Sequence, residues 1–410
     1  LAGSRIGVDI IGAEKELFMR PLEGITVVSL EQAVAAPFCT RQLADLGARV
    51  IKIERPGVGD FARDYDQTVK GQSAYFVWLN RSKESFTLDV KHPQAQDILQ
   101  RLVAGADIFI QNLAPGASAR LGLAADVLLK RHPRLIVCDV SGYGDTGPYA
   151  EKKAYDLLVQ SEAGVLSVTG TAETQTKVGI SIVDISAGMY AYSGILTALY
   201  QREKTGRGTR VEVTMFEALA EWMTHPLYYT HFSGKAPRRS GPDHATIVPY
   251  GRFRCGDGAD VMLGIQNERE WAKFCAGVLA RPELAKDPRY DNNSKRTAAR
   301  AEVVALIEGI FAGMTAAGVV AKLDAAGIAN ARINTPEEVW AHPQLKARDR
   351  WREVQTPAGA IPALLPPVGL TDFEARFDAV PALGQHTDAV LAGLGYSPAD
   401  IGALRAGGAV

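Results

Sequence analysis

Strand and helix patterns alternate through the first third of this chain, and that rhythm constrains the fold more than any other feature. Ile25–Leu30 is a short apolar run with β-branched residues; a helical pattern runs from Pro37 to Leu46 and closes at Gly47; Arg49–Glu54 reads as a second strand. The unit has the length of a strand–helix–strand crossover. It then repeats: Phe86–Val90 as strand, Pro93–Ala104 as helix, Asp107–Gln111 as strand, Ser118–Lys130 as helix and Leu135–Val140 as strand. Alternation of this kind means a parallel sheet covered by helices on both faces. Ligands of such sheets bind at the carboxyl ends of the strands.

The middle of the chain is helical first, over Asp156–Ser167 and Ser186–Glu203, then a strand at Arg210–Thr214 and a helix at Phe216–Tyr229. From Gly234 to Pro242 the composition shifts to Pro, Gly, Arg and Ser, the signature of a linker. Tyr250–Arg254 and Val261–Ile265 flank a Gly-Asp-Gly turn and read as a hairpin, with helical stretches after it at Glu268–Leu279, Thr297–Ala312 and Ala316–Ala326. These boundaries give a large domain over residues 19–234, a smaller inserted α+β domain over 235–330, and a return to the large domain over 331–410, with strands near Ala331 and Val368 and a helix at Thr387–Leu394. Residues 1–18 fit poorly with the alternating pattern that starts near Ile25, and read as a leader before a start at Met19.

Composition removes several function classes. Lys and Arg total 45 against 46 Asp and Glu, so the net charge of −1 argues against a nucleic-acid partner. Cys39, Cys138, Cys255 and Cys275 are far apart, with no C-x-x-C and no zinc spacing, so no metal site is expected and free thiols in a reducing cytoplasm are. No apolar run reaches the ~18 residues of a membrane span. The first strand–helix turn reads Ala33-Val34-Ala35-Ala36-Pro37, without the glycines that let a dinucleotide pyrophosphate approach the backbone. A Walker loop, a G-x-S-x-G elbow and H-E-x-x-H are also missing.

Seven strings, in order along residues ~20–405, carry a resemblance. They are Pro21-Leu22-Glu23-Gly24-Ile25, Gly47 to Gly57 (GARVIKIERPG), Leu88-Asp89-Val90-Lys91, Asn112-Leu113-Ala114-Pro115-Gly116, Ser141-Gly142-Tyr143-Gly144, Lys204 to Gly208 (KTGRG) and Gly384-Gln385-His386-Thr387. Together they resemble the family III CoA-transferases, the group of formyl-CoA and carnitine CoA-transferases, with α-methylacyl-CoA racemase as a mechanistic relative. The resemblance implies an α/β fold: a Rossmann-like large domain built from both chain ends, a small inserted domain, and an interlocked homodimer. It implies coenzyme A and acyl-CoA as substrates, with no permanently bound cofactor.

The resemblance also assigns residues. Asp184, in the stretch Val178 to Gly188, takes the position of the nucleophilic aspartate. A carboxylate is ionised at neutral pH and attacks a thioester without a base, and N–H groups at a helix start would hold the oxyanion. By sequence alone an aspartate there also reads as a helix N-cap. Tyr155-Asp156 stands where the racemase branch has His-Asp; a phenol is a poor base at neutral pH, which favours transfer over isomerisation. Tyr155 reads as an aromatic beside CoA, and Asp156 as a group that orients the site or caps the helix that follows it. Arg55, Lys91 and Arg120 would supply charge to the CoA phosphates, Val34, Leu88, Asn112 and Leu113 would line the adenine and pantetheine path, and Lys153 falls near the site. Val34 replaces the glutamine of formyl-CoA transferase, which counts against formate and oxalate. Arg238, Arg239, Arg252 and Arg254 crowd the start of the small domain, where an arginine could grip a second carboxylate, so a small dicarboxylate is the expected acid. An intramolecular shift of CoA between two carboxyls, an isomerase, and a non-catalytic CoA-binding protein are the competing readings.

Overall fold

The computed structural model describes residues 19–410, so the expected leader at 1–18 lies outside the described residues. The chain divides into two compact units. The larger runs to Val159, returns at Ile180–Glu221 and closes with Arg350–Val410; the smaller comprises Gln160–Gly179 and Trp222–Asp349. The smaller unit thus begins earlier and ends later than 235–330, and it takes a separate piece, 160–179, that sequence patterning left in the large domain.

The larger unit is built on six parallel strands, β1 (Thr26–Leu30), β2 (Arg49–Glu54), β3 (Lys83–Thr87), β4 (Ile108–Gln111), β5 (Ile136–Ser141) and β6 (Arg210–Thr214), in the order β3-β2-β1-β4-β5-β6. This is the doubly wound order, in which the chain reverses its direction of travel between the neighbours β1 and β4. Alternate residues serve opposite faces. Val28, Ile53, Phe86, Phe109 and Val137 pack with the helices Ala95–Ala104 and Ala125–Arg131 and with the C-terminal helices Thr387–Gly393 and Pro398–Ala406. On the opposite face lie α1 (Ala35–Asp45) and a 24-residue helix, Ile182–Thr205. The chain end also covers the edge strand β3: His386 donates its N–H to the Ser85 carbonyl, and the Thr387 hydroxyl accepts from the Thr87 N–H at 3.0 Å.

Most expected elements are present, with local differences that have causes. The strand expected at Phe86–Val90 starts three residues earlier, at Lys83. The helix expected over Ser118–Lys130 breaks at Gly122, whose φ of 70° is left-handed, and that over Asp156–Ser167 breaks at Gly164, with φ 83°. The strand near Ala331 exists, as Ala329–Arg332, but does not return to the large sheet. It pairs antiparallel with Asp260–Gly264, which pairs with Tyr250–Arg254, in a three-stranded sheet of the smaller unit. No strand forms at Val368; the tail has a hairpin of Trp351–Val354 and Ile361–Leu364 instead. The smaller unit closes over Trp271, Phe274, Ile307, Phe311 and Leu323, all buried. By length and composition the helix Ile182–Thr205 holds an 18-residue window apolar enough to cross a membrane, where the sequence reading expected no such run. Here its buried face packs along α1, β5 and β6, while Met189, Tyr190 and Tyr200 are exposed.

Candidate active site

Helix α2 (Asp156–Glu162) and helix α3, the long Ile182–Thr205, meet at their N-termini. Helix α3 ends at Gly206 in the left-handed region, as the Lys-Thr-Gly-Arg-Gly turn foretells, but begins four residues before the expected Ser186. Asp184 therefore lies inside the first turn, at its third position, and is not the N-cap. That place belongs to Ser181, whose side chain makes no capping bond. The cap comes from another helix. One oxygen of Asp156, Oδ1, accepts the Val183 N–H at 2.8 Å and the Asp184 N–H at 3.3 Å. Ile182 donates to the Ile180 carbonyl and Ile185 to that of Ser181. The first-turn donors are all engaged, so this helix start offers no free N–H for an oxyanion, contrary to expectation.

Burial, and after it the negative charge of Asp156, pushes the Asp184 carboxyl up to about 7 from an ordinary 3.8. Tyr65, which the sequence reading missed, belongs to the same neighbourhood. Partial burial first, then the charges of Asp60 and Asp184, raise its phenol to about 12, so it stays a proton donor at neutral pH. Nothing local in Asp64-Tyr65-Asp66 marks it. Tyr155, by contrast, is 67% exposed and not packed as an aromatic lining.

Helix α3 is held by its small residues. A Cβ on Gly188 would stand 2.6 Å from the Ala35 carbonyl oxygen and 3.1 Å from the Phe38 ring, so the two helices approach to backbone distance there. Val34 immediately precedes α1 and is buried. The turn ahead of it is fixed from below. Asp60 accepts the Ala33 N–H at 3.1 Å, with Ala33 at φ 61°, and receives Lys52 Nζ at 2.7 Å. Lys52 and Lys83 both contact Glu31, and all three are fully buried. Burial opposes the charge on Glu31, yet the two lysines hold its carboxyl below the usual range. Alongside, Arg63 forks onto Glu54 with two 2.8 Å bonds while its guanidinium lies 3.7 Å over the Phe76 ring. Burial opposes ionisation of Glu54, but Arg63, Lys52 and Ser85 bring it down to about 2.

A cavity of about 590 Å³ opens at the carboxyl ends of β1, β2 and β3, beside the β1/β4 reversal. Leu30 and Glu54 line it at strand ends, Leu88 and Leu113 just beyond them, and Arg55 and Lys91 stand exposed on it with no ion pair among the described residues. The structure thus gathers Arg55, Leu88, Lys91 and Leu113 around one cavity. Four other expected CoA contacts are not among its walls. Val34 is buried at the N-cap of α1. Asn112 clamps Gln32, donating to its carbonyl and accepting its N–H, both at 2.9 Å, and so shapes the wall rather than forming it. Arg120 donates to the Pro115 carbonyl, and Lys153 is exposed. Glu54, Gln32 and Gly408 line the cavity without having been anticipated; Gly408 arrives because Asp89 donates its N–H to the Ala409 carbonyl.

Residues 22–387 match the profile of CoA-transferase family III. The chain belongs to this family. It is 32% identical over 377 residues to a succinyl-CoA:glutarate CoA-transferase of Mus musculus, covering 91% of this chain and 86% of that protein. It is 32% identical over 397 residues to a succinyl-CoA–D-citramalate CoA-transferase of Chloroflexus aurantiacus, covering 94% and 97%. A crystal structure of a CaiB/BaiF family protein from Brucella suis superposes with a TM-score of 0.80 at 34% identity, over 91% of this chain and 99% of that one.

As a family III CoA-transferase the protein is an enzyme that acts on acyl-CoA and a carboxylic acid. Among the described residues no cluster of His, Cys, Asp and Glu could hold a metal, and the four cysteines are buried free thiols. Of the four arginines expected to grip a second carboxylate, three are committed elsewhere. Arg239 donates to the Thr171 and Ala172 carbonyls at 2.8 and 2.7 Å, and Arg252 and Arg254 both reach Asp260. Only Arg238 of the four is exposed and unengaged among the described residues.

Proposed function

We propose that this CoA-transferase moves CoA from an acyl-CoA donor to a small dicarboxylic acid through covalent intermediates on Asp184. A carboxylate oxygen of Asp184 attacks the thioester carbonyl; the C–O bond forms, the C–S bond breaks, and CoA leaves as thiolate. The thiolate then attacks the Asp184 carbonyl of the mixed anhydride, forming an aspartyl-CoA thioester and releasing the donor acid as carboxylate. The acceptor carboxylate reverses the sequence, so no outside reactant is consumed. The observation that carries this reading is the position of Asp184: inside the first turn of α3, part-buried, beside Asp156, and raised to about 7. A carboxylate poised near neutral pH is a stronger nucleophile than one at 3.8 and is still substantially ionised.

The cavity at the strand ends suits CoA, with Arg55 and Lys91 for phosphate and Leu88 and Leu113 for the apolar arm. The dicarboxylate reading is supported by relatives that bear the names of glutarate and citramalate transferases. A homodimer fits the helix Thr224–Ser233, which buries none of its residues and leaves Phe232 81% exposed. The exposed Tyr155, in the place of a catalytic histidine, disfavours isomerisation.

A panel of acyl-CoA donors and acids, read by chromatography, tests the reading. Dicarboxylates should be preferred, and equal rates with monocarboxylates would remove that part of it. Deuterium wash-in at the α-carbon of the acyl group would reveal an isomerase instead.

A further inference from the structure

We propose that Asp156 is a positioning residue for Asp184: by drawing the Val183 and Asp184 N–H groups onto its own carboxylate, it withholds them from the nucleophile and sets a negative charge beside it. The inference deepens the reading of Asp184 as nucleophile and rests on it.

An opposition is built into the helix. The first turn of an α-helix presents unpaired N–H groups and the positive end of its dipole. An aspartate at its third position would be stabilised as an anion there. Stabilisation of that kind makes a carboxylate a poorer nucleophile, because attack must remove it. In this protein the effect is countered. Oδ1 of Asp156, from a helix that belongs to a separate stretch of chain, takes two of those donors at 2.8 and 3.3 Å. The remaining two are closed within the turn by Ile180 and Ser181. Asp184 is left beside a like charge and largely out of water, both of which disfavour its anion.

The other groups around it do not reverse this. Tyr65 faces Asp184 as a neutral phenol. Helix α1, packed along α3, carries Arg41 and Asp45, which pair with each other at 2.7 Å, and Asp45 also receives Arg81. Asp60, which reaches Tyr65, is bound by Lys52. No cation is therefore left to neutralise Asp184 among the described groups that act on it. Asp156 has a second consequence for the chemistry. As acylation converts Asp184 from anion to neutral anhydride, the repulsion between the two carboxylates disappears, so the strain is relieved along the reaction coordinate.

The experiment is the pH dependence of single-turnover acylation, measured as CoA thiol released per protein with acyl-CoA and no acceptor. Wild-type enzyme should show an acid limb near pH 7. Asp156→Asn keeps an oxygen that accepts both N–H groups and removes only the charge. Its limb should fall by at least about one pH unit, and its plateau rate by about tenfold, as a less basic nucleophile requires. Asp156→Glu, which keeps the charge, should hold the limb within about half a unit of wild type. Peptide mapping of the label in each protein separates the two ideas. If wild-type label does not map to Asp184, the reading of the nucleophile fails. If it maps there and Asp156→Asn loses rate equally at every pH with the limb unmoved, Asp156 is only a structural cap and the positioning role is overturned.

Discussion

At the scale of single residues, Asp184, the proposed nucleophile, carries a cost in stability. Its folded carboxyl titrates at about 7 against an ordinary 3.8, so between those values the folded protein holds a proton that the unfolded chain has lost. Stability contributed by the neutral form is present at low pH and falls away as pH rises through 7. Asp184→Asn should therefore abolish transfer, yet unfold later than wild type at pH 8 by about 1–2 kcal/mol, the gain vanishing near pH 4. Thermal melts across that range check this; an equal or lower midpoint at pH 8 would contradict it. Gly188 makes the opposite case. With its hypothetical Cβ 2.6 Å from the Ala35 carbonyl, Gly188→Ala should cost about 1–3 kcal/mol and shift α3 together with Asp184. Urea unfolding measures the first, and loss of acylation at saturating acyl-CoA the second. Asp184 and Asp156 were picked out by the order of short motifs, and the structure brings the two side by side. Tyr65 was not, because only the fold brings it to Asp184.

At the scale of elements, the strand ends do two jobs. Above them, Arg55 and Lys91 stand on the cavity with no ion pair among the described residues. Replacing both with alanine should raise KM for acyl-CoA about tenfold or more while kcat changes little, since each phosphate contact of this kind is worth about 1.5–3 kcal/mol in net binding at most. The effect should shrink at high salt, and a fall in kcat alone would place CoA elsewhere. Below them, Glu31, Lys52, Asp60 and Lys83 form a buried ionic layer under the turn that holds Ala33 and starts α1. Lys52→Met leaves two buried carboxylates short of a cation and should cost about 3–5 kcal/mol by chemical denaturation. A loss below about 1 kcal/mol would show that the layer relaxes or takes up water. Such a layer is invisible in the strand pattern, because the partners of Lys52 come from Glu31 and Asp60, outside its own strand.

At the scale of the whole molecule, the larger unit is assembled from three stretches of chain, and its last stretch supplies Gly408 to the cavity and covers β3. Truncation of the final residues, from Gly407 onward, should therefore weaken acyl-CoA binding, with isothermal titration as the measurement. The smaller unit leaves Tyr228 and Phe232 of its first long helix to solvent in the single chain. If subunits cover them, sizing at high dilution should still return a dimer, and a folded, active monomer would contradict the proposed assembly.

What the sequence determined by itself is everything that depends on local pattern. Hydrophobic periodicity located all six parallel strands to within three residues, their alternation with helices implied a parallel sheet covered on both faces, and ordered short strings carried the family; the strand order and its reversal between β1 and β4 came from the structure. Tertiary structure decided the rest, because it depends on which distant groups share space. The strand at Ala329–Arg332 went to the small sheet because Asp260–Gly264 offered it a free edge. Helix α3 began at Ile182 because Asp156, from another helix, took the N–H groups that would otherwise have frayed. Arg239 was spent on two backbone carbonyls and Asn112 on Gln32. A guanidinium or amide carries the same letter in the sequence whether its partner is a substrate or the chain itself; burial and distance make the choice.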